Sequence, residues 1–294
     1  MLDLYNFVEN NPIFKQFNVN ELLFTAYDCE IEEAQLDYWV DKNYFCYIVR
    51  GGVKWKTLED EYSLEVGQAA FIRRGAHRIA KISHNDFCAL LIFLPDDFIQ
   101  SVLKEEQLAD QAQGKNKTGS GSIIPLTLDQ RLFDYFTTVL NYFMQPDPPS
   151  KSLLTLKFRE LIINLTTGQG NPKICHCFQE ISSSGKRALR PAMEHNFQFD
   201  LKLSEFAKLS CRSLATFNRD FYKEFQTSPG RWLKRERLKY SKFLLKTTDL
   251  NVNQITLEAG FKNTSHFIRI FKQYYRSTPL KYRQTLLEDH TPVV

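Results

Sequence analysis

The sequence predicts an α+β protein in two parts: a strand-rich N-terminal part that ends in a helical segment, and an all-helical C-terminal part. Three observations carry this. Between residues 20 and 94, short runs of β-branched and aromatic residues alternate with turn signals. From residue 128 onward, apolar residues recur at the three-to-four spacing of a helix. Finally, residues 206–233 (FAKLSCRSLATFNRDFYKEFQTSPGRWL) and 257–283 (LEAGFKNTSHFIRIFKQYYRSTPLKYR) share one layout about fifty residues apart. Each reads as the end of a short helix, a tight turn, a second helix carrying polar and basic residues, and a Ser-Pro or Thr-Pro step. A chain of 294 residues that is 43% hydrophobic has enough apolar material for two cores.

In order, the expected strands are 22–27, 44–49, 53–57, 68–72, 78–82 and 87–94. Gly51-Gly52, Glu59-Asp60, Gly67, Gly75 and Asn85-Asp86 mark the turns. Strands this short and this evenly spaced argue for an antiparallel sandwich or a small barrel. Residues 108–125, with GKNKTGSGS at their centre, read as a mobile loop. Two helices follow. The first, 128–143, places Leu132, Tyr135/Phe136, Val139/Leu140 and Phe143 on one face; the second, 153–165, does the same with Leu154, Phe158, Leu161/Ile162 and Leu165. Pro146, Pro148 and Pro149 separate them. Such a pair packs on the strands or against a second copy of itself, with Phe136, Leu140 and Phe143 as the surplus apolar surface. The TGQGNPK stretch marks a boundary, giving domains 1–170 and 171–294.

In the first helical repeat, Leu214, Phe217 and Phe221 share a face expected to pack inward, leaving Arg212, Ala215, Asn218, Arg219 and Tyr222 outward. Ser213, at the helix start, can cap free N–H groups or touch a phosphate. In the second repeat, Phe267, Ile270, Phe271 and Tyr274 form the expected buried stripe, and Thr264, Ser265, Ile268, Arg269 and Lys272 face out. An outward face of this chemistry suits a DNA major groove, where Arg donates two hydrogen bonds to guanine and Asn pairs with adenine. Gly260 permits the tight turn of a helix-turn-helix, and Ser228-Pro229 starts a helix over 229–246 that could hold two readers apart. Readers in successive major grooves sit about 34 Å apart along the duplex. The charge agrees with this reading. Residues 173–283 hold 22 Lys+Arg against 9 Asp+Glu, while the rest of the chain holds 16 against 25. A basic C-terminal part on an acidic body is the footprint of polyanion binding.

These residues resemble the AraC/XylS-type transcription activators. The first signature stands as Phe206-Ala207, Ser213, Phe217, Arg219-Asp220-Phe221 and Ser228-Pro229. The second stands as Ile255, Gly260-Phe261, Phe267, Arg269, Phe271-Lys272, Pro279 and Tyr282-Arg283. The resemblance implies base or phosphate contacts at Ala215, Asn218 and Arg219 and at Thr264, Ser265, His266, Ile268 and Arg269. Four positions depart from the pattern: Thr256 replaces the usual Ala, Cys211 a turn Gly, and Gln226 and Arg276 the glycines that end the recognition helices. The last three sites want a left-handed backbone. The resemblance further implies a cupin-like N-terminal barrel, similar to the ExsA-like subgroup around GQAAFIRRGAH (residues 67–77). Control by a partner protein, a homodimer, and RNA polymerase as a second partner follow from it. A small-molecule effector is the competing input, with Trp39, Tyr47, Trp55, Phe71 and His77 as the expected pocket.

Other chemistries find little support. No stretch approaches the roughly 18 apolar residues of a membrane span. MLDLYNFVENN lacks the basic start of a secretory signal, so a cytoplasmic protein is expected. The six cysteines show no framework spacing. The strand region offers only His77 and His84, too few for a metal site, and Cys175-His176-Cys177 lacks matching ligands. No cofactor, metal or catalytic residue is expected. The alternative reading is a metal-dependent cupin enzyme or a cysteine methyl-transfer repair protein carrying a DNA reader.

Overall fold

Contacts divide the chain into two units, Met1–Lys186 and Arg187–Val294. The computed structural model describes residues 1–28, 36–57, 60–81, 87–108, 121–183 and 189–288. Cys29, Glu59, His84, the Asn85-Asp86 turn and residues 109–120 of the expected loop lie outside them.

The first unit contains the strands β1 (Leu2–Asp3), β2 (Lys15–Val19), β3 (Leu22–Asp28), β4 (Leu36–Val40), β5 (Asn43–Arg50), β6 (Gly52–Lys56), β7 (Glu61–Glu65), β8 (Ala69–Ile72), β9 (Gly75–Lys81), β10 (Cys88–Leu94) and β11 (Ile123–Pro125). Its helices are α1 (Leu4–Glu9), α2 (Asp96–Glu105), α3 (Gln130–Met144), α4 (Lys151–Thr167) and α5 (Pro172–Ser183). The strands form two sheets, in the orders β1-β4-β9-β6-β7 and β11-β8-β5-β10-β3-β2. Of the two architectures read from strand spacing, the sandwich is the one formed, because neither sheet closes on itself among the described residues.

The central strands β5 and β10 are buried on both faces. Tyr44, Cys46 and Ile48 point into the core between the sheets, with Tyr38, Val53, Trp55 and Phe93. Phe45 and Tyr47 point the other way, to the side on which the helices lie, with Phe71, Leu90 and Ile92. A strand covered on both faces reads as a continuous apolar run rather than an alternation. The helical side is filled by Leu132, Tyr135, Phe136, Val139 and Phe143 of α3, by Leu154, Phe158, Leu161, Ile162 and Leu165 of α4, and by Ile174, Cys177, Phe178 and Ile181 of α5. Because α5 packs on α2 and α4, the first unit extends past the 170/171 boundary expected from the glycine-rich stretch. Phe136 and Phe143 are core residues, not surplus surface. The apolar side chains left exposed on α3 and α4 are Phe133, Met144, Leu153 and Leu156.

This packing also corrects the expected effector pocket. Tyr47 stacks on Phe136 with ring centres 4.6 Å apart, and Phe71 meets Phe178 edge-on at 5.6 Å. Trp55 lies in the opposite core, where its Nε1–H donates to the Tyr38 hydroxyl at 2.9 Å. His77 stacks on Tyr38 at 5.3 Å, and its Nε2 lies 2.8 Å from the Arg73 carbonyl. Burial pushes the His77 imidazole down to about pKa 4, partly opposed by that carbonyl. Trp39 is buried as well. Strand alternation puts Tyr47 and Phe71 on the other side of the six-stranded sheet from Trp55, so the five cannot line one cavity.

Two further departures have clear causes. β11, at the end of the expected loop, pairs Ile123 with Ile72 and Ile124 with Phe71 and so covers the edge of β8; Pro125 is tolerated because β11 is itself an edge strand. α2 follows Pro95 and opens with Asp96 and Asp97, whose charge suits a helix N-terminus. Cys175 is half-buried and donates to the Leu165 carbonyl at 3.5 Å, and Cys177 is fully buried. Among the described residues no helix is long and apolar enough to cross a membrane, and no three His, Cys, Asp or Glu side chains gather as a metal site.

The second unit is helical: α6 (Leu189–Glu194), α7 (Leu203–Leu209), α8 (Leu214–Phe225), α9 (Pro229–Thr247), α10 (Val252–Glu258), α11 (Thr264–Tyr275) and α12 (Pro279–Glu288). At 1.5 Å per residue, α9 is a rod of about 28 Å between the two repeats.

Candidate nucleic-acid interface

Each repeat is a helix, a left-handed turn and a second helix. After α7 the chain turns at Cys211, with φ 54°; after α10 it turns at Gly260, with φ 79°. The hydrogen bonds are the same in both. Cys211 N–H reaches the Lys208 carbonyl at 2.9 Å and Arg212 N–H the Ala207 carbonyl at 2.9 Å. Gly260 N–H reaches the Leu257 carbonyl at 3.0 Å and Phe261 N–H the Thr256 carbonyl at 2.9 Å. This pairing is the Schellman motif that closes a helix C-terminus. Gly260 has a second reason to lack a side chain, since a Cβ there would lie 2.6 Å from the Gln198 carbonyl oxygen. The departures at the recognition-helix ends keep the geometry as well: Gln226 and Arg276 are left-handed, with φ 53° and 61°.

The turn then hands over to a capped helix. Ser213 Oγ accepts from Thr216 N–H at 3.3 Å, and Asn263 Oδ1 accepts from His266 N–H at 2.9 Å. The inward face of α8 is Phe217 and Phe221, with Phe225 and Trp232 beside them. The inward face of α11 is Phe267, Ile270 and Phe271, with Tyr275 and Tyr282 in the same places. Fully burying each such ring stabilises by roughly 1.5–3 kcal/mol, which fixes the rotation of both helices. Two stripe residues are corrected. Leu214 and Tyr274 are exposed, because each lies at the margin of its apolar arc.

That rotation places the expected readers. Ser213, Ala215, Asn218 and Arg219 are exposed on or at the start of α8. Ser265, His266, Arg269 and Lys272 are exposed on α11, with Thr264 and Ile268 half-buried beside them. Tyr222 is exposed on α8 at the position that Lys272 takes fifty residues later. Arg212 departs from the expectation. Its side chain is 8% exposed, its Nε lies 3.1 Å from Asp220 Oδ2, and its Nη1 donates to the Ser210 carbonyl at 2.6 Å. It ties the turn to α8 instead of facing outward. Arg212, then Arg219, holds the Asp220 carboxyl below its ordinary range. The second turn uses apolar packing in the same role, with Ile270 in place of Asp220 and Phe261 against Phe267 at 5.1 Å.

Not every cation of the basic part is available for a polyanion. Arg237 donates to the Phe197 and Phe199 carbonyls at 2.7 and 2.8 Å, and Arg283 to those of Leu245, Leu250 and Thr248 at 3.2, 2.7 and 3.1 Å. Both bind backbone across the helices. Sequence reading also missed a contact on the reading face, between Arg269 Nη2 and His266 Nδ1 at 3.1 Å; the three-residue spacing was the available signal.

Comparisons with known proteins find the same two-part organisation in the sequence. The ExsA N-terminal regulatory domain matches residues 43–177, and a helix-turn-helix domain matches residues 206–285. The chain is 26% identical over 240 residues to the virulence regulon transcriptional activator VirF of Yersinia enterocolitica, covering 81% of this chain and 88% of that one. It is 24% identical over 258 residues to the HTH-type transcriptional regulator ExsA of Pseudomonas aeruginosa, covering 87% and 91%. A structure of ToxT from Vibrio cholerae aligns over 89% of this chain and 97% of that one, at 14% identity and a TM-score of 0.42. With a match to the ExsA N-terminal regulatory domain ahead of two helix-turn-helix units, the chain is similar to the AraC/XylS-type transcriptional regulators and is a DNA-binding transcription regulator, not an enzyme.

Proposed function

We propose that the protein activates transcription from the cytoplasm by reading a two-part DNA element with α8 and α11, as a homodimer that engages RNA polymerase. The observation that carries this is the register of the two reading faces, in which Arg219 and Arg269 occupy equivalent exposed positions on helices fixed by equivalent aromatic cores. In this reading the two arginines pair bidentately with guanines and Asn218 pairs with adenine. Ala215 and Ile268 meet thymine methyls, while Ser213, Thr264, Ser265 and Lys272 hold phosphates. His266 lies on the same face. Arg212 is left out of the contacts, since it holds the turn. The activators among the relatives support the direction of control.

The exposed apolar side chains Phe133 and Met144 of α3 and Leu153 and Leu156 of α4 suit a second copy. A protein, not a metabolite, is the input in this reading, because Tyr47, Phe71, Trp55 and His77, expected to line a pocket, are packed instead against Phe136, Phe178 and Tyr38 on the two faces of the six-stranded sheet.

Competition binding with Arg269→Ala tests the reading. Discrimination between a selected duplex and an unrelated one should fall by about 1–3 kcal/mol, a factor of roughly 5 to 150, while sequence-blind binding changes little. An Arg269→Ala protein that binds its site unchanged removes the assignment.

A further inference from the structure

We infer that His266 is a positioning residue for Arg269, acting through a neutral imidazole that accepts a hydrogen bond from the guanidinium. The inference rests on α11 being a DNA reader and adds to that reading what aims its principal side chain. Arg269 Nη2 lies 3.1 Å from His266 Nδ1, and both side chains are exposed on the reading face. A guanidinium has donors and no acceptor. Nδ1 must therefore be the acceptor, which puts the ring proton on Nε2 and leaves the imidazole uncharged. The His266 backbone is itself fixed, because its N–H is capped by Asn263 Oδ1 at 2.9 Å. The ring is thus anchored at the first turn of α11, and Arg269, one turn on, leans on it.

A free arginine must give up rotamer freedom when it pairs with a base; one already held by a neighbour gives up less. The equivalent arginine of the first repeat has a different companion. Arg219 Nε lies 3.4 Å from Asp220 Oδ1, a carboxylate that also pairs with Arg212. Guanine must compete there with an anion. At Arg269 it displaces nothing charged, and the held guanidinium keeps its remaining donors for O6 and N7.

Protonation would break the device. A protonated imidazole carries donors on both nitrogens and the charge sign of its neighbour, so it would repel Arg269 instead of holding it. Among the side chains the structure describes, the charged groups on the elements packed against α11 are Glu258 of α10, Lys262 of the turn, and Lys281 and Arg283 of α12. Lys262 pairs with Asp200 at 2.9 Å, and Arg283 is committed to backbone carbonyls. On α11 itself, Lys272 is one turn beyond Arg269.

The test uses the full-length protein and a duplex recovered by its own selection from random-sequence DNA, beside the same duplex with the guanine opposite α11 replaced. Affinity for both is measured from pH 8 to pH 5.5, the range in which imidazole ordinarily takes up a proton. In the wild type, discrimination between the two duplexes should weaken as pH falls. His266→Phe keeps a ring and loses the acceptor, so it should discriminate about fivefold less well at pH 8 and respond little to pH. His266→Gln restores an acceptor that does not titrate; it should keep the wild-type discrimination at pH 8 and lose the pH dependence. The inference is overturned if His266→Phe discriminates within about twofold of the wild type. It is also overturned if acid tightens wild-type binding to both duplexes alike, since that is the sign of a histidine on a phosphate. A selection that returns no preferred sequence overturns the reader itself, and the pair with it.

Discussion

Gly260 and Cys211 do the same job under different constraints. Both are left-handed and both close a helix, but only Gly260 faces a backbone carbonyl where its Cβ would be. Gly260→Ala should therefore cost about 2–4 kcal/mol in the stability of the C-terminal unit, combining backbone strain with a clash that backbone must relieve. Arg276→Gly, at an exposed left-handed helix end, should do the opposite and raise stability by roughly 0.5–1 kcal/mol. Thermal denaturation of the two variants checks both signs. At this scale the sequence was partly legible. The glycine departures marked three left-handed sites of the repeats, and the exposed polar faces of α8 and α11 followed from periodicity. Arg212 was misread because its partner, Asp220, lies across the turn, at a separation that helix periodicity does not describe. Leu214 and Tyr274 were misread because hydrophobicity alone does not say which end of an apolar arc the core reaches.

Elements were legible where their apolar run or stripe is long and harder to read elsewhere. The apolar runs of β5 and β10 announced strands, yet only the structure shows that both faces are used, the second against α3, α4 and α5. β2, β4 and β7 were missed because their runs are short and mixed with polar residues, and β11 because a Gly/Ser-rich stretch leads into it. The reversal at α3 matters for function. Phe136 and Phe143 looked like spare surface and are core; Phe133 and Met144 are the exposed ones. Sedimentation of a Met144→Lys, Leu156→Lys double variant tests the dimer assigned to α3 and α4. The variant should sediment as a monomer at concentrations where the unchanged protein is a dimer. A wild-type protein that is monomeric at those concentrations, or a variant that dimerises as well as the wild type, removes that assignment.

The whole molecule is two units with opposite charge balance, a fact that counting residues already shows. The sequence also carried the helix-turn-helix repeat, because its motif is long and each part has a physical job: a turn, a cap, an aromatic core and a reading face. It carried less of the N-terminal unit. A sheet core is specified by which strands pair, and pairing across dozens of residues leaves little trace in one sequence; the pocket expected from Trp39, Tyr47, Trp55, Phe71 and His77 failed for that reason.

The central claim is that α8 and α11 each read sequence and do so together on one duplex. Selection of genomic fragments by the purified full-length protein, repeated with Arg219→Ala and Arg269→Ala, tests it most directly. The expected result is a recurrent element whose two halves lie about one helical turn, roughly 10 base pairs, apart. Arg219→Ala should blur one half and Arg269→Ala the other. Binding that is salt-sensitive and blind to sequence, or a single half erased equally by either substitution, would contradict the account.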